Sequence, residues 1–479
     1  MGMADGQDTY DVVVIGGGPP GENAAARVVR GGLSALLVEH ELVGGECSFW
    51  ACIPSKALLR PVELYAAARR LPGVASAVAG PLDAAAVFAR RDRFVGRDDS
   101  PLGHDDSSQV RWLQTAGVAV LRGHARLAGE RRVQVATADG VRTVTARRAV
   151  VLAVGTVANV PPIPGLREAR PWTSREATNA PAAPRRLAVL GGGVVACEMA
   201  QAMRSLGSEE VTVIERGGRL LGRVEPFASD LVATAFGEVG ITMLTGLGAS
   251  EVRREGGGPV TVTLQDGRAV EADEVLAALG RRPATEDLGL DTVGLTPGRY
   301  VEVDDHLHAL GGWLYACGDV TGRNLLTHMG KYQARICGDV IAARAAGRPT
   351  DGLGYRAVAD DRWVPQVVFT DPQVCQVGLT EAQAHDRGLP VRAVEYDVGA
   401  VSGAALTADG YRGRAKVVVD EERRIVVGAS FVGPDLAELL HSATVAVVGE
   451  VPLDLLWHAI PSFPTISEVW LRLLEEYGL

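Results

Sequence analysis

An α/β chain with two doubly wound domains and a third, α+β domain is predicted by three observations. A β run, a glycine turn and a helix-prone stretch follow one another from Asp11, the same succession returns from Arg186, and beyond about Gly352 the composition shifts to β runs with one apolar helix from Leu436 to Val448. At 479 residues the chain is too long for one ordinary core, so several domains are expected.

In the first succession, Asp11 to Ile15 is a short apolar β run, followed by Gly16-x-Gly18-x-x-Gly21 and by the alanine-rich stretch ENAAARVVR, which favours helix. A second β run, SALLVE, ends at Glu39, eighteen residues past Gly21, where a carboxylate can bond a ribose hydroxyl. The second succession runs from Arg186–Leu190 through Gly191-x-Gly193-x-x-Ala196 and a helix to Met203, then a strand, VTVIE, that ends at Glu215. One glycine fingerprint alone is a weak signal, because packing also produces such turns. Two, each with its downstream acid, imply two Rossmann-like modules and two bound dinucleotides. The glycines let the backbone approach a pyrophosphate, whose charge meets the outward N–H groups of the helix N-terminus.

Shortly after the first fingerprint comes GGECSFWACIPSK, Gly44 to Lys56, with Cys47 and Cys52 in a C-x4-C pair. Cysteines five positions apart at a helix start can close a strained disulfide, and the helix N-terminus stabilises the thiolate formed on reduction. In this position the pair suggests a redox disulfide beside a flavin. Six cysteines in so long a chain form no disulfide framework, and Cys197, Cys317, Cys337 and Cys375 read as packing residues.

These motifs, in this order, resemble the class I pyridine nucleotide-disulfide oxidoreductases, such as dihydrolipoamide dehydrogenase, glutathione reductase and mercuric reductase, from roughly Thr9 to Leu471. The resemblance implies an FAD-binding domain at 1–165, an NAD(P)-binding domain at 166–285, a central segment at 286–352 that completes the FAD domain, and a dimerisation domain at 353–479. It makes Cys52 the flavin-facing sulfur, Cys47 the interchange sulfur, and Lys56 with Glu198 an ion pair beside the flavin. The segment LYACGDVTG resembles the second flavin motif, whose aspartate, here Asp319, bonds the ribityl chain. Further cofactor positions implied are Gly45, Ala125, Gly155 in VLAVGT, Thr327, and Gly280 in LGRRP. Electrons would pass from NAD(P)H to FAD and on to the Cys47–Cys52 disulfide, or the reverse. For the nicotinamide nucleotide, Glu215 favours a free 2′-hydroxyl and hence NAD, while Ala196, Arg216 and Arg219 lean toward NADP; NAD(H) is favoured.

One position departs from the pattern. Most members read H-P-T-x-S-E where this chain has SFPTISE, so Phe463 stands in place of the histidine that serves as acid and base for the partner subunit's interchange thiol, while the orienting Glu468 is retained. Phenylalanine exchanges no proton, and general acid-base help is worth about a hundredfold to ten-thousandfold, so turnover of lipoamide or glutathione disulfides should be poor. His441 and His458 lie nearby, off the motif position. Mercuric reductases also carry Phe-Pro here but add a C-terminal Cys-Cys pair, which the tail EVWLRLLEEYGL lacks; 2-ketopropyl-coenzyme M oxidoreductase/carboxylase pairs its phenylalanine with histidine, whereas glutamate remains here. Glu46 and Trp50 likewise differ from the small, threonine or valine residues common in the motif.

Net charge is −10 without a long acidic run, which argues against nucleic acid and anionic membrane as partners. The N-terminus has neither a basic nor an apolar leader region, and no uninterrupted apolar stretch nears eighteen residues, so cytoplasmic residence is the default expectation. The main functional reading is an FAD-dependent NAD(P)H oxidoreductase with an active disulfide, a homodimer with a shared active site, and an unusual small-molecule acceptor: a disulfide, a metal ion or a quinone. The alternatives are a diaphorase that passes electrons directly from flavin to quinone, and a redox-responsive binding protein.

Overall fold

The strands that the two fingerprints require form in both halves of the chain. The computed structural model describes residues 8–78, 80–98 and 103–479, so the N-terminal stretch read above lies, up to Gln7, outside the described residues. These residues group into two compact units, drawn from Met1–Ile53, Asp92–Ala158 and Arg281–Asp360 for the first, and from Pro54–Arg91, Asn159–Gly280 and Asp361–Leu479 for the second.

In the first unit a sheet runs in the order His308–Leu310, Leu314–Ala316, Gly140–Leu152, Thr9–Ile15, Ala35–Glu39, Ala119–Arg122. Its central pairs are parallel, with Val13 opposite both Leu36 and Val150. Residues 12–15, 35–38 and 149–152 are buried on both faces, which is why they read as unbroken apolar runs rather than alternating ones. One face packs Val12, Val14 and Leu37 against Ala24, Ala25 and Val28 of the helix Pro19–Arg30 and against Ile336, Val340 and Ile341 of the helix Thr327–Ala345. Each buried Val, Leu or Ile among them contributes about 1.5–3 kcal/mol by leaving water. The two helices are also joined by the Arg27–Asp339 ion pair, at 2.5 and 2.8 Å.

The second unit holds a parallel sheet ordered Ile241–Thr245, Glu210–Glu215, Arg186–Leu190, Glu274–Ala277, the second doubly wound element. Its other part is an antiparallel five-stranded sheet, Gln366–Val368, Gln373–Gly378, Ile425–Gly433, Arg414–Asp420, Val391–Asp397, the α+β domain. Helix Val469–Tyr477 packs on it through Trp470, whose ring meets Phe431 edge-on at 5.8 Å and whose Nε1 donates to Ser442 at 2.9 Å.

Two local expectations shift. The apolar helix placed at Leu436 to Val448 begins at Leu440, because the N–H groups of Leu436 and Ala437 donate to the Gln373 side chain, both at 2.8 Å, and so are held in a turn. The two motif cysteines do not share one helix: Cys47 lies in the short helix Gly45–Phe49, and Cys52 opens a second one, Cys52–Arg69. The break falls at Trp50, which is buried between Phe49 and His104, with ring centroids 5.8 Å from each. Among the described residues no helix is long and apolar enough to cross a membrane.

Candidate active site

In the first unit, Gly16 takes φ +103°, and a Cβ there would sit 2.5 Å from the Ala153 carbonyl; one on Gly21 would sit 1.9 Å from the Gly16 carbonyl. Only glycine fits at either place, and the resulting turn leaves the N-terminus of Pro19–Arg30 with no side-chain cap; Pro19 and Pro20 carry no N–H, so the helix offers an anion the N–H of Gly21, with that of Gly18 just ahead of it. Gly18 is the residue just before this helix, and Gly45 abuts it, since a Cβ on Gly45 would lie 2.9 Å from the Gly18 Cα. The segment that leads to Cys47 is thereby laid against the turn.

At the end of the second strand, Glu39 accepts the N–H of Gly17 at 2.6 Å and that of Glu41 at 2.7 Å, with the His40 ring 3.1 Å away. Burial pushes this carboxyl up, but His40 and the two N–H groups outweigh it and hold it below its ordinary range. Glu22, in the first turn of the helix, goes the other way: burial pushes it up to about 7, against the pull of Lys331.

Asp319 follows Gly318 and accepts the Thr156 hydroxyl at 2.8 Å. Burial raises its carboxyl, opposed by Thr156 and by Arg281. Gly155 next to Thr156 has φ +70° with open space where a Cβ would be, and Ala125 lies buried on the strand His124–Leu127. Cys52 Sγ is 3.3 Å from the hydroxyl of Thr327, the first residue of the long helix Thr327–Ala345. A glycine cradle too tight for any side chain, an uncapped helix end and a desolvated carboxyl beyond it fit the pyrophosphate, ribose and ribityl chain of FAD. Gly16, Gly18, Gly21, Glu39 and Asp319 would hold it.

The second unit repeats the device. Gly191 has φ +104°, with the Ala278 carbonyl 2.4 Å from where its Cβ would be, and Gly193 caps the helix Val194–Ser205. Glu215 accepts the Gly192 N–H at 2.5 Å and also that of Gly217. Ala196, on the first turn of that helix, is fully buried, so a small residue there serves packing. The Arg219 guanidinium is turned onto the carbonyls of Gly222 and Val224, both at 3.2 Å, while Arg216 is exposed. Gly280 accepts the Asn159 N–H at 2.9 Å at the edge of this unit. Glu198 is buried, takes the Lys56 ammonium at 2.7 Å on one oxygen and the Phe369 N–H at 3.0 Å on the other. Lys56 also lies 4.9 Å over the Phe369 ring.

Phe463 and Glu468 part company. The phenyl ring is 74 % exposed, whereas Glu468 is 7 % exposed, bonded through one oxygen to Arg472 at 2.7 Å, with its other oxygen buried and unbonded. His441 and His458 both lie on the surface. Sequence reasoning missed Arg281, which touches both Glu46 and Thr156; only its place in LGRRP, read as a domain end, hinted at it. Of the other cysteines, burial pushes Cys375 up to about 12 and Cys197 higher still, which keeps both as thiols.

Residues 10–345 match the family described as pyridine nucleotide-disulphide oxidoreductase, and residues 364–473 its dimerisation domain. The chain is 30% identical over 469 residues to a dihydrolipoyl dehydrogenase of Chlamydia muridarum, covering 97% of this chain and 96% of that protein. It is also 30% identical to a mercuric reductase of Staphylococcus aureus, over 96% of this chain and 81% of that one. Among solved structures it is similar to LpdA from Mycobacterium tuberculosis, at TM-score 0.83 and 26% identity, with 98% of this chain and 100% of that chain covered. The HOCl-induced flavoprotein disulfide reductase RclA from Escherichia coli gives TM-score 0.81 and 25% identity, covering 97% and 99%. The two doubly wound domains and the dimerisation domain thus define a flavoprotein oxidoreductase. The chain belongs to the pyridine nucleotide-disulphide oxidoreductase family, FAD-dependent enzymes that also use a pyridine nucleotide.

Proposed function

We propose that this chain is an NADH-dependent flavin oxidoreductase whose Cys47–Cys52 pair takes electrons from the flavin and hands them to an acceptor other than lipoamide or glutathione disulfide. The observation that carries this reading is the close approach of Cys52 to Thr327 within the unit that also holds the glycine cradle and Asp319. FAD, when bound, supplies the two-electron carrier between nicotinamide and disulfide. Lys56 and Glu198 would hold a fixed charge pair for that transfer, and Cys47 would meet the acceptor.

For the nucleotide, Glu215 supports NADH, since its carboxylate is fixed by backbone N–H groups where a 2′-phosphate would be repelled. Arg219 is committed to two carbonyls and offers a phosphate little. The homodimer with a shared active site rests on the dimerisation domain and on exposed apolar residues within it, Val445, Leu455, Ile460 and Phe463, that a second copy would cover. The segments 1–165, 166–285, 286–352 and 353–479 are proposed as its FAD, NAD, central and dimerisation parts. The two named relatives differ in acceptor at equal identity, so the acceptor is read from Phe463 instead: a site without the histidine suits a metal ion or an unusual disulfide.

A second reading, quinone reduction directly from the flavin, is favoured by that same missing proton donor. Anaerobic NADH oxidation against a panel of disulfides, quinones and mercuric ion, in wild type and Cys47→Ser, separates the two. Turnover of one acceptor that the substitution abolishes supports the disulfide route. Quinone turnover alone, unaffected by the substitution, replaces it with the diaphorase.

A further inference from the structure

We propose that Glu46 is a positioning residue which, through Arg281, ties the segment carrying Cys47 to the Thr156–Asp319 pair and, together with Arg281, sets the charge that Cys47 experiences. The inference rests on the reading of Cys47 and Cys52 as a redox pair. Arg281 is the hub. Its Nε donates to the Thr156 hydroxyl at 2.6 Å, its Nη2 donates to the Thr156 carbonyl at 2.7 Å, and the same Nη2 forms the ion pair with Glu46. The Thr156 hydroxyl passes the link on to Asp319 at 2.8 Å, and Arg281 Nε lies 3.9 Å from that carboxylate.

Backbone pairing makes the hub rigid, because Arg281–Pro283 runs antiparallel to Thr156–Ala158, with Arg281 opposite Ala158. The Arg281 and Glu46 side chains are only 22% and 20% exposed, so solvent screens this pair less than a surface one. Two carboxylates therefore share one guanidinium. Glu46 immediately precedes Cys47 on the short helix Gly45–Phe49, so its negative charge opposes a thiolate at Cys47 while the positive charge of Arg281 favours one. A small residue or threonine at position 46 would leave Arg281 to Asp319 and Thr156 alone, and the segment would lose its tether to the flavin side of the unit.

The test is carried out on flavin-loaded enzyme, reduced with dithiothreitol and freed of it, by the rate of iodoacetamide alkylation of Cys47 at pH 7, read from the mass of its peptide. Glu46→Gln and Glu46→Thr should each raise the rate about threefold, and Arg281→Gln should lower it by about the same factor, because the thiolate is the reacting form. Arg281→Lys, which keeps the charge, should stay within about twofold of wild type. Rates that move the same way in the glutamate and arginine variants, or that do not move in either glutamate variant, would overturn the proposal. Equal reactivity of Cys47 before and after reduction would instead sink the disulfide reading, which the opposed response of the two sets of variants does not depend on.

Discussion

The Lys56 ammonium lies 2.7 Å from the carboxylate of Glu198, whose second oxygen is taken by the backbone N–H of Phe369. Glu198 is 3 % exposed, so its carboxylate is out of water and held by these two partners. Lys56→Met strands a buried carboxylate and should cost about 2–4 kcal/mol in urea unfolding, more than the double variant Lys56→Met/Glu198→Gln, in which no charge is left unpaired. Equal costs for the single and double variants would show that the ion pair contributes little to the fold.

In the proposed function Phe463 is the position that lacks a proton donor, and its ring is exposed rather than built into the core. Phe463→His should therefore fold normally and raise kcat/KM for a lipoamide-type disulfide by about tenfold or more, within the usual range for general acid-base help. Quinone reduction should not change. Steady-state kinetics on both acceptors check this, and a histidine variant no better than wild type toward disulfides would move the cause of poor turnover elsewhere in the pocket.

Glu215 fixes two N–H groups of its own turn, Gly192 and Gly217, much as Glu39 does with Gly17 and Glu41 in the first module. Because a carboxylate there opposes a 2′-phosphate, kcat/KM with NADH should exceed that with NADPH by about tenfold or more, and Glu215→Ala should shrink the ratio by lowering NADH efficiency most. A preference for NADPH in the wild type would reassign the nucleotide.

Much of this was legible from the chain. The doubly wound modules follow from glycine positions that sterics dictate, since Gly16 and Gly21 each face a carbonyl where a Cβ would be. The dimerisation domain is legible in its β runs. The Glu46–Arg281 pair was not, because its partners lie 235 positions apart and no periodicity joins them. Nor was the split of the cysteine motif into two helices, which depends on Trp50 finding His104 and Phe49 as packing partners. The start of helix Leu440–Val448 was hidden for the same reason: a distant glutamine, Gln373, captures the N–H groups ahead of it. Local steric rules are written in neighbouring residues, whereas side chains that meet across the fold leave no local trace.

Glu22 offers a pH test of the first cradle. Burial raises its carboxyl to about 7, against an ordinary value of 4.5. Below about pH 4.5 the group is protonated in both folded and unfolded chains and contributes no pH dependence. Between 4.5 and 7 the folded chain keeps a proton that the unfolded one has released, so this group makes stability fall as pH rises, and above 7 the loss is constant. Glu22→Gln removes the ionisation, and should match wild type near pH 4.5 but exceed it by about 2 kcal/mol at pH 8, with partial exposure discounted. Urea unfolding of both proteins across that range measures it. A stability difference that does not grow between pH 4.5 and 7 would mean that Glu22 is solvated or paired in the folded protein and is ionised at neutral pH.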